Sequence, residues 1–121
     1  GKPIEIFGDG KQLRDYIYVG DAVDAFLGVA FSEKTPGEIF NCGSGKSYEF
    51  REMAEIIVKV FGGGKIKYVP WPKNYKSIET GDFKMDISKL SRAINWHPKI
   101  GLEEGLRKTS EYYKKYGDKY I

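Results

Sequence analysis

Gly8-Asp9-Gly10-Lys11-Gln12-Leu13-Arg14-Asp15-Tyr16-Ile17-Tyr18-Val19-Gly20-Asp21 is the stretch on which the reading of this chain turns. Gly8-Asp9-Gly10 supplies residues tolerant of positive φ and ends a short β-like run, Ile4-Glu5-Ile6-Phe7. Tyr16-Ile17-Tyr18-Val19 is a dense aromatic and β-branched run that reads as a further strand. Gly20-Asp21 closes it, and Asp21 can cap a following helix by accepting backbone N–H bonds. The turn therefore delivers Arg14 to the lip of a buried strand. There its five-donor fork can hold a phosphate in two places, while Tyr16 offers a flat face to a base. From spacing alone, a surface ion pair of Arg14 with Asp15 or Asp21 is the plainer reading.

Outward from this stretch, strands and helices alternate. Val23, Phe26, Leu27 and Ala30 fall three and four apart and predict a helix with that face inward, ended before Pro36-Gly37. Glu38-Ile39-Phe40-Asn41 reads as a strand. Gly43-Ser44-Gly45 then turns the chain into Ser47, a predicted N-cap for a helix striped by Phe50, Met53, Ile57, Val60 and Phe61 and stopped by Gly62-Gly63-Gly64. Ile66-Lys67-Tyr68-Val69 is another strand, leading to Pro70-Trp71-Pro72, where Trp71 reads as a rigid wall that could also stack on a base. Lys73 to Phe83 shows neither period, which marks a functional loop. A short helix starting at Asp86 or Ser88 bears Leu90, Ala93 and Ile94 and stops near Trp96-His97-Pro98. A last helix runs from about Leu102 to Tyr116, with Leu106, Thr109, Tyr112 and Tyr113 inward. The expectation is an α/β fold, a small partial domain of a few short strands and about four helices, with too few strands to cover its own edges and faces.

The chain has 121 residues, enough for one small domain, and its 20 basic and 17 acidic residues leave a net charge of +3. That mild excess reads as a solvated helix face, not a nucleic-acid footprint, although lysines interleaved with nine tyrosines keep a non-catalytic nucleotide- or nucleic-acid-binding module as the alternative class. No run approaches the roughly 18 apolar residues of a membrane span or shows the charged-then-apolar pattern of a signal peptide, so a cytoplasmic protein without membrane partners is expected. Cys42, the one cysteine, has neither a disulfide partner nor a metal-ligand cluster beside it, and no metal site is expected. Gly45-Lys46-Ser47 mimics the end of a phosphate loop, but Phe40 stands where its first glycine is required. His97 and Lys89 read as packing or surface groups, and no catalytic residue is assigned.

Arg14-Asp15-Tyr16-Ile17-Tyr18-Val19 with Asp21-Ala22-Val23 resembles the Arg-Asp-aromatic-Ile-x-Val-x-Asp signature of extended short-chain dehydrogenases, the family of UDP-glucose 4-epimerase and dTDP-glucose 4,6-dehydratase. Asn41-Cys42-Gly43-Ser44-Gly45, Asp86-Ile87-Ser88-Lys89-Leu90, Trp96-His97-Pro98 and Leu102-Glu103-Glu104-Gly105-Leu106 are similar, in the same order, to later motifs of that family, and together they cover nearly the whole chain. The resemblance implies that Arg14 pairs with a nucleotide diphosphate and that Tyr16 lies near the nucleoside. It also implies that Lys76 stands where the family has a second phosphate-pairing arginine and that Glu79, a turn later, is either the acceptor of a ribose hydroxyl or a solvated loop carboxylate. Lysine keeps the charge there but loses the bidentate fork.

The family's glycine fingerprint for NAD and its proton-transferring Tyr-x-x-x-Lys pair have no match here, and both lie earlier in complete members. The resemblance therefore implies that residues 1–121 are the carboxy-terminal nucleotide-sugar-binding part, the substrate lobe of a Rossmann-type epimerase, with the NAD-binding Rossmann domain absent. No cofactor-binding residue is expected in the piece, which would be inactive alone. The parent is expected to be an NAD-dependent nucleotide-sugar 4-epimerase, with 4,6-dehydratase or reductase as alternatives. The expected partners are a nucleoside-diphosphate sugar and the Rossmann domain. Left alone, the piece should form homo-oligomers or expose an apolar patch.

Overall fold

The computed structural model of the chain describes residues 2–75, 77 and 79–120. Strand β1 (Ile4–Phe7) pairs in parallel with β4 (Ile66–Val69), Ile4 opposite Ile66 and Phe7 opposite Val69. Ile6 points inward and is completely buried, as the alternation of a half-covered strand requires. Strand β2 (Leu13–Asp15) pairs antiparallel with β3 (Ser47–Glu49), which sets Arg14 opposite Tyr48. Four α-helices complete the order: α1 (Val19–Ala30), α2 (Phe50–Phe61), α3 (Ser88–Ile94) and α4 (Leu102–Tyr116). The fold is small α/β. Two-stranded pieces are marginal by themselves, so the helices and the side-chain ties between segments must carry them.

The core lies between α1, α3 and the segment leading out of α3. Ala25, Leu90 and Trp96 are buried together, with Ile17, Val29, Phe40, Cys42, Ile87 and Ile94 packed around them. A second contact joins α2 to α4.

Two aspartates of the Arg-Asp…Asp stretch tie these parts together. Asp15 Oδ1 accepts hydrogen bonds from Ser44 N at 2.7 Å and Ser44 Oγ at 2.6 Å, while Oδ2 accepts from Gly45 N at 2.9 Å and Met85 N at 3.1 Å. Asp21, 3% exposed, accepts at Oδ2 from Lys99 N at 3.1 Å and Ile100 N at 2.9 Å. A carboxylate taken wholly out of water, as Asp21 is, or partly, as Asp15 is, is tolerated when backbone donors satisfy it, and each of these binds a segment far along the chain to the start of the fold. Gly43 lets the ties close. A Cβ there would lie 2.6 Å from Met85 Cβ and 3.1 Å from Asp15 Oδ2.

Several sequence expectations are corrected. Tyr16 to Tyr18 is not a strand: β2 ends at Asp15 and α1 begins at Val19. Asp21 therefore sits inside the first turn of α1, where it makes no cap bond and turns instead to residues 99 and 100. Ser47 opens β3 and its hydroxyl donates to the Phe83 carbonyl at 3.2 Å, so it does not cap α2, which starts after Glu49. Glu38 to Asn41 has no strand partner among the described residues. The inward face of α1 is the small-residue one, with Ala25 buried and Gly28 so close to Ile94 that a Cβ would lie 2.7 Å from Cδ1. Val23, Phe26 and Leu27, expected inward, are exposed, as are Val19, Phe31 and Ile39. On α4 the expected inward Tyr112 and Tyr113 are about half exposed, at 46% and 50%, while Gly105 and Ser110 are buried.

Candidate functional site

The tight turn after β1 builds one wall of the site. Gly8 has φ 70°, and a Cβ there would fall 2.5 Å from Trp71 Nε1, so glycine both makes the turn and lets the indole lie against it. Trp71 follows β4 as Gly8 follows β1, and the parallel pairing therefore brings the two exits side by side. Phe7 and Trp71 have ring centroids 5.6 Å apart, and Tyr75 packs edge-on to Phe7 at 6.1 Å. The first pair is tilted and the second edge-on, so neither is a face-to-face stack.

Arg14 reaches the same place from β2. A cavity of about 310 Å³ is lined by Phe7, Trp71 and Tyr75 on its aromatic side and by Arg14, Glu79 and Gln12 on its polar side. Arg14 pairs with neither Asp15 nor Asp21, whose carboxylates are engaged elsewhere. Its Nη1 donates to the carbonyls of Leu13 and Gly81, both at 2.7 Å, and its Nη2 donates to Glu79 in an ion pair. Both side chains are mostly covered, with exposures of 24% and 22%. The loop that carries Glu79 is fastened along β2, since Leu13 N donates to Asp82 Oδ1 at 2.9 Å and Phe83 N to the Leu13 carbonyl at 3.0 Å.

Of the four residues expected to bind substrate, the structure joins Arg14 and Glu79. Tyr16 lies apart. It lines a cavity of about 290 Å³ with Met53, Gly101 and Leu106, and a smaller one with Ser44, Lys46 and Tyr48. Burial pushes its phenol up against the opposing pull of nearby Arg14, and its hydroxyl has no hydrogen-bond partner among the described residues. Lys76 lies outside the described residues. Sequence reasoning missed Phe7 and Tyr75 as walls. Phe7 read only as strand, and nothing in the spacing joins positions 7, 71 and 75.

The apparent phosphate loop is occupied from within. The N–H groups of Ser44 and Gly45 converge on Asp15, so the nest that could wrap a phosphate already holds a carboxylate. Lys89 is structural, donating to Glu38 at 2.7 Å and to the Ile39 carbonyl at 2.9 Å. Burial pushes the Cys42 thiol up, helped by the nearby charges of Asp15 and Asp21, which is the opposite of the lowering that activates a cysteine. Among the described residues, no three His, Cys, Asp or Glu side chains are placed to share a metal ion. No described helix directly follows a parallel strand through a glycine turn: β1 runs on to β2, and β4 to the loop. No helix of the described residues is long and apolar enough to cross a membrane.

The fold is a small α/β one in which β2 and the loop carrying Glu79 bring Arg14 and Glu79 into the lining of a cavity shared with Phe7, Trp71 and Tyr75. A family model described as GDP-mannose 4,6 dehydratase matches residues 1–109, and the chain belongs to this family of nucleotide-sugar enzymes, the extended short-chain dehydrogenases. The chain is similar to the UDP-N-acetyl-alpha-D-glucosaminuronate decarboxylase of Bacillus cytotoxicus, with 36% identity over 117 residues, 94% of this chain and 36% of the relative. Its fold is similar to the crystal structure of a UDP-glucose 4-epimerase with UDP-glucose from Thermotoga maritima, at 35% identity and a TM-score of 0.82, covering 94% of this chain and 35% of that one. It is also similar to a UDP-glucuronic acid 4-epimerase from Bacillus cereus in complex with UDP-glucuronic acid and NAD, at 27% identity and TM-score 0.79, covering 94% and 36%. The chain spans about a third of the length of these relatives.

Proposed function

We propose that this chain is the nucleotide-sugar-gripping lobe of an NAD-dependent UDP-sugar enzyme, with 4-epimerase as the leading activity. The observation that carries this reading is Arg14, fixed by three hydrogen bonds in the lining of the cavity it shares with Phe7, Trp71 and Tyr75. In it the diphosphate meets the Arg14 guanidinium, the base enters among the aromatic rings, and Glu79 faces the ribose. By the family resemblance Lys76 supplies a second, weaker phosphate contact, and Tyr16 borders the nucleoside from the neighbouring cavities. The relatives bearing UDP-glucose and UDP-glucuronic acid support the ligand class. NAD would be held by a Rossmann domain outside these residues. The exposed Val23, Phe26 and Leu27 on α1 are the face on which that domain would pack. When bound, NAD supplies the hydride chemistry, while this lobe orients the sugar nucleotide. The decarboxylase relative favours a second reading in which the same grip serves a different reaction at the sugar, as it would in a 4,6-dehydratase or reductase.

Calorimetric titration of the intact protein with UDP tests the proposal. Arg14→Ala should weaken binding by about 2 to 4 kcal/mol, and Arg14→Lys by less, because a point charge cannot reproduce the planar fork. Unchanged UDP affinity together with a lower melting temperature would make Arg14 a structural ion-pair partner and sink the assignment.

A further inference from the structure

We infer that Glu79 is a positioning residue for Arg14, so that the loop holding Glu79, and not β2 alone, decides which donors of the guanidinium meet the ligand. This rests on the nucleotide-site reading above. An arginine has five N–H donors. The Leu13 and Gly81 carbonyls take both Nη1 hydrogens, and Glu79 takes one of Nη2. Nε–H and the second Nη2–H have no partner among the described residues, and these two are left for an anion. Two of the three restraints come from the loop. Glu79 is itself held, since Gly81 N donates to its Oε1 at 3.2 Å and the bonds of residues 82 and 83 to Leu13 fasten the loop beside it.

The proposal makes a prediction opposite in sign to simple electrostatics. A carboxylate beside an anion site repels the anion, so by charge alone its removal should strengthen binding. A guanidinium released from Glu79 and free to swing must instead be ordered again at each binding event. Inorganic pyrophosphate is the probe, titrated by calorimetry into the intact protein. Glu79→Ala should bind it at least about fivefold more weakly, on the scale of side-chain ordering costs. Glu79→Gln keeps an acceptor oxygen and should recover most of that loss. In nitrogen-15 NMR spectra, the Arg14 Nη2–H signal should exchange faster with water in Glu79→Ala than in the unsubstituted protein, because it is the donor that Glu79 holds. Pyrophosphate binding as tight or tighter in Glu79→Ala would overturn the positioning role, and so would an unchanged Nη2–H signal. If Arg14→Ala binds pyrophosphate as well as the unsubstituted protein, the nucleotide-site reading fails instead, and the Nη2–H signal alone then decides whether the clamp exists.

Discussion

At the scale of single residues, the two signature aspartates do structural work that their positions beside Arg14 conceal. Asp15 satisfies four donors drawn from Ser44, Gly45 and Met85. Asp15→Ala would strand those donors in a partly buried place, and urea unfolding should show a loss of about 2 to 3 kcal/mol. Asp15→Asn should rescue little, because its NH₂ group must face N–H donors on one side. Equal stability of the asparagine variant would show that one oxygen suffices. The sequence revealed Arg14 and Glu79 as site candidates through the family motif, yet it could not reveal their pairing, which spans 65 positions. Nor could it distinguish an aspartate that caps its own helix from one that reaches 78 and 79 positions onward, as Asp21 does.

At the scale of elements, legibility followed locality. β1, β4, α3 and α4 carry their own periodicity and stops, and the boundaries expected for α4 agree with Leu102–Tyr116. The face of α1 was misjudged because a small-residue face, Ala25 and Gly28, packs closer than a bulky one, while the bulky side is left outward. Spacing gives the period of a helix but not which stripe is covered. The contact between α2 and α4 is reinforced by Lys59, which bonds both Glu103 oxygens at 3.2 and 3.1 Å, while Arg107 holds the same carboxylate from within α4 at 3.1 Å. The hydrogen bond and charge of Lys59, with a smaller contribution from Arg107, hold the Glu103 carboxyl below its ordinary 4.5. A carboxyl lowered in the folded state stabilises fully above its unfolded value and loses that contribution as pH falls through the folded one. Urea midpoints should therefore decline below pH 4.5, and Glu103→Gln should make that acid limb shallower. Because the pair is exposed, the change should be small. An acid limb of identical slope in the variant would remove Glu103 from the account.

At the scale of the whole molecule, the bulky face of α1 is left uncovered, with Phe26 68% exposed and Leu27 50%. A protein showing such a patch by itself should bind a hydrophobic dye and associate. Phe26→Ser with Leu27→Ser should lower dye fluorescence and shift sedimentation towards the monomer while leaving the melting temperature nearly unchanged. A large fall in melting temperature would mean that the face is buried after all. The long ties made by the aspartates also govern when the chain can fold. β1 waits for a partner that begins 62 positions later, Asp15 for an amide 70 positions on, and Asp21 for amides 78 and 79 positions on. During synthesis the opening segment thus leaves the ribosome long before its counterparts exist, with Ile6 and the phenyl ring of Phe7 uncovered. Non-local closure of this kind is slow and exposes sticky intermediates, so the segment from β1 to Asp21 is a natural client for chaperones until Ile100 has emerged.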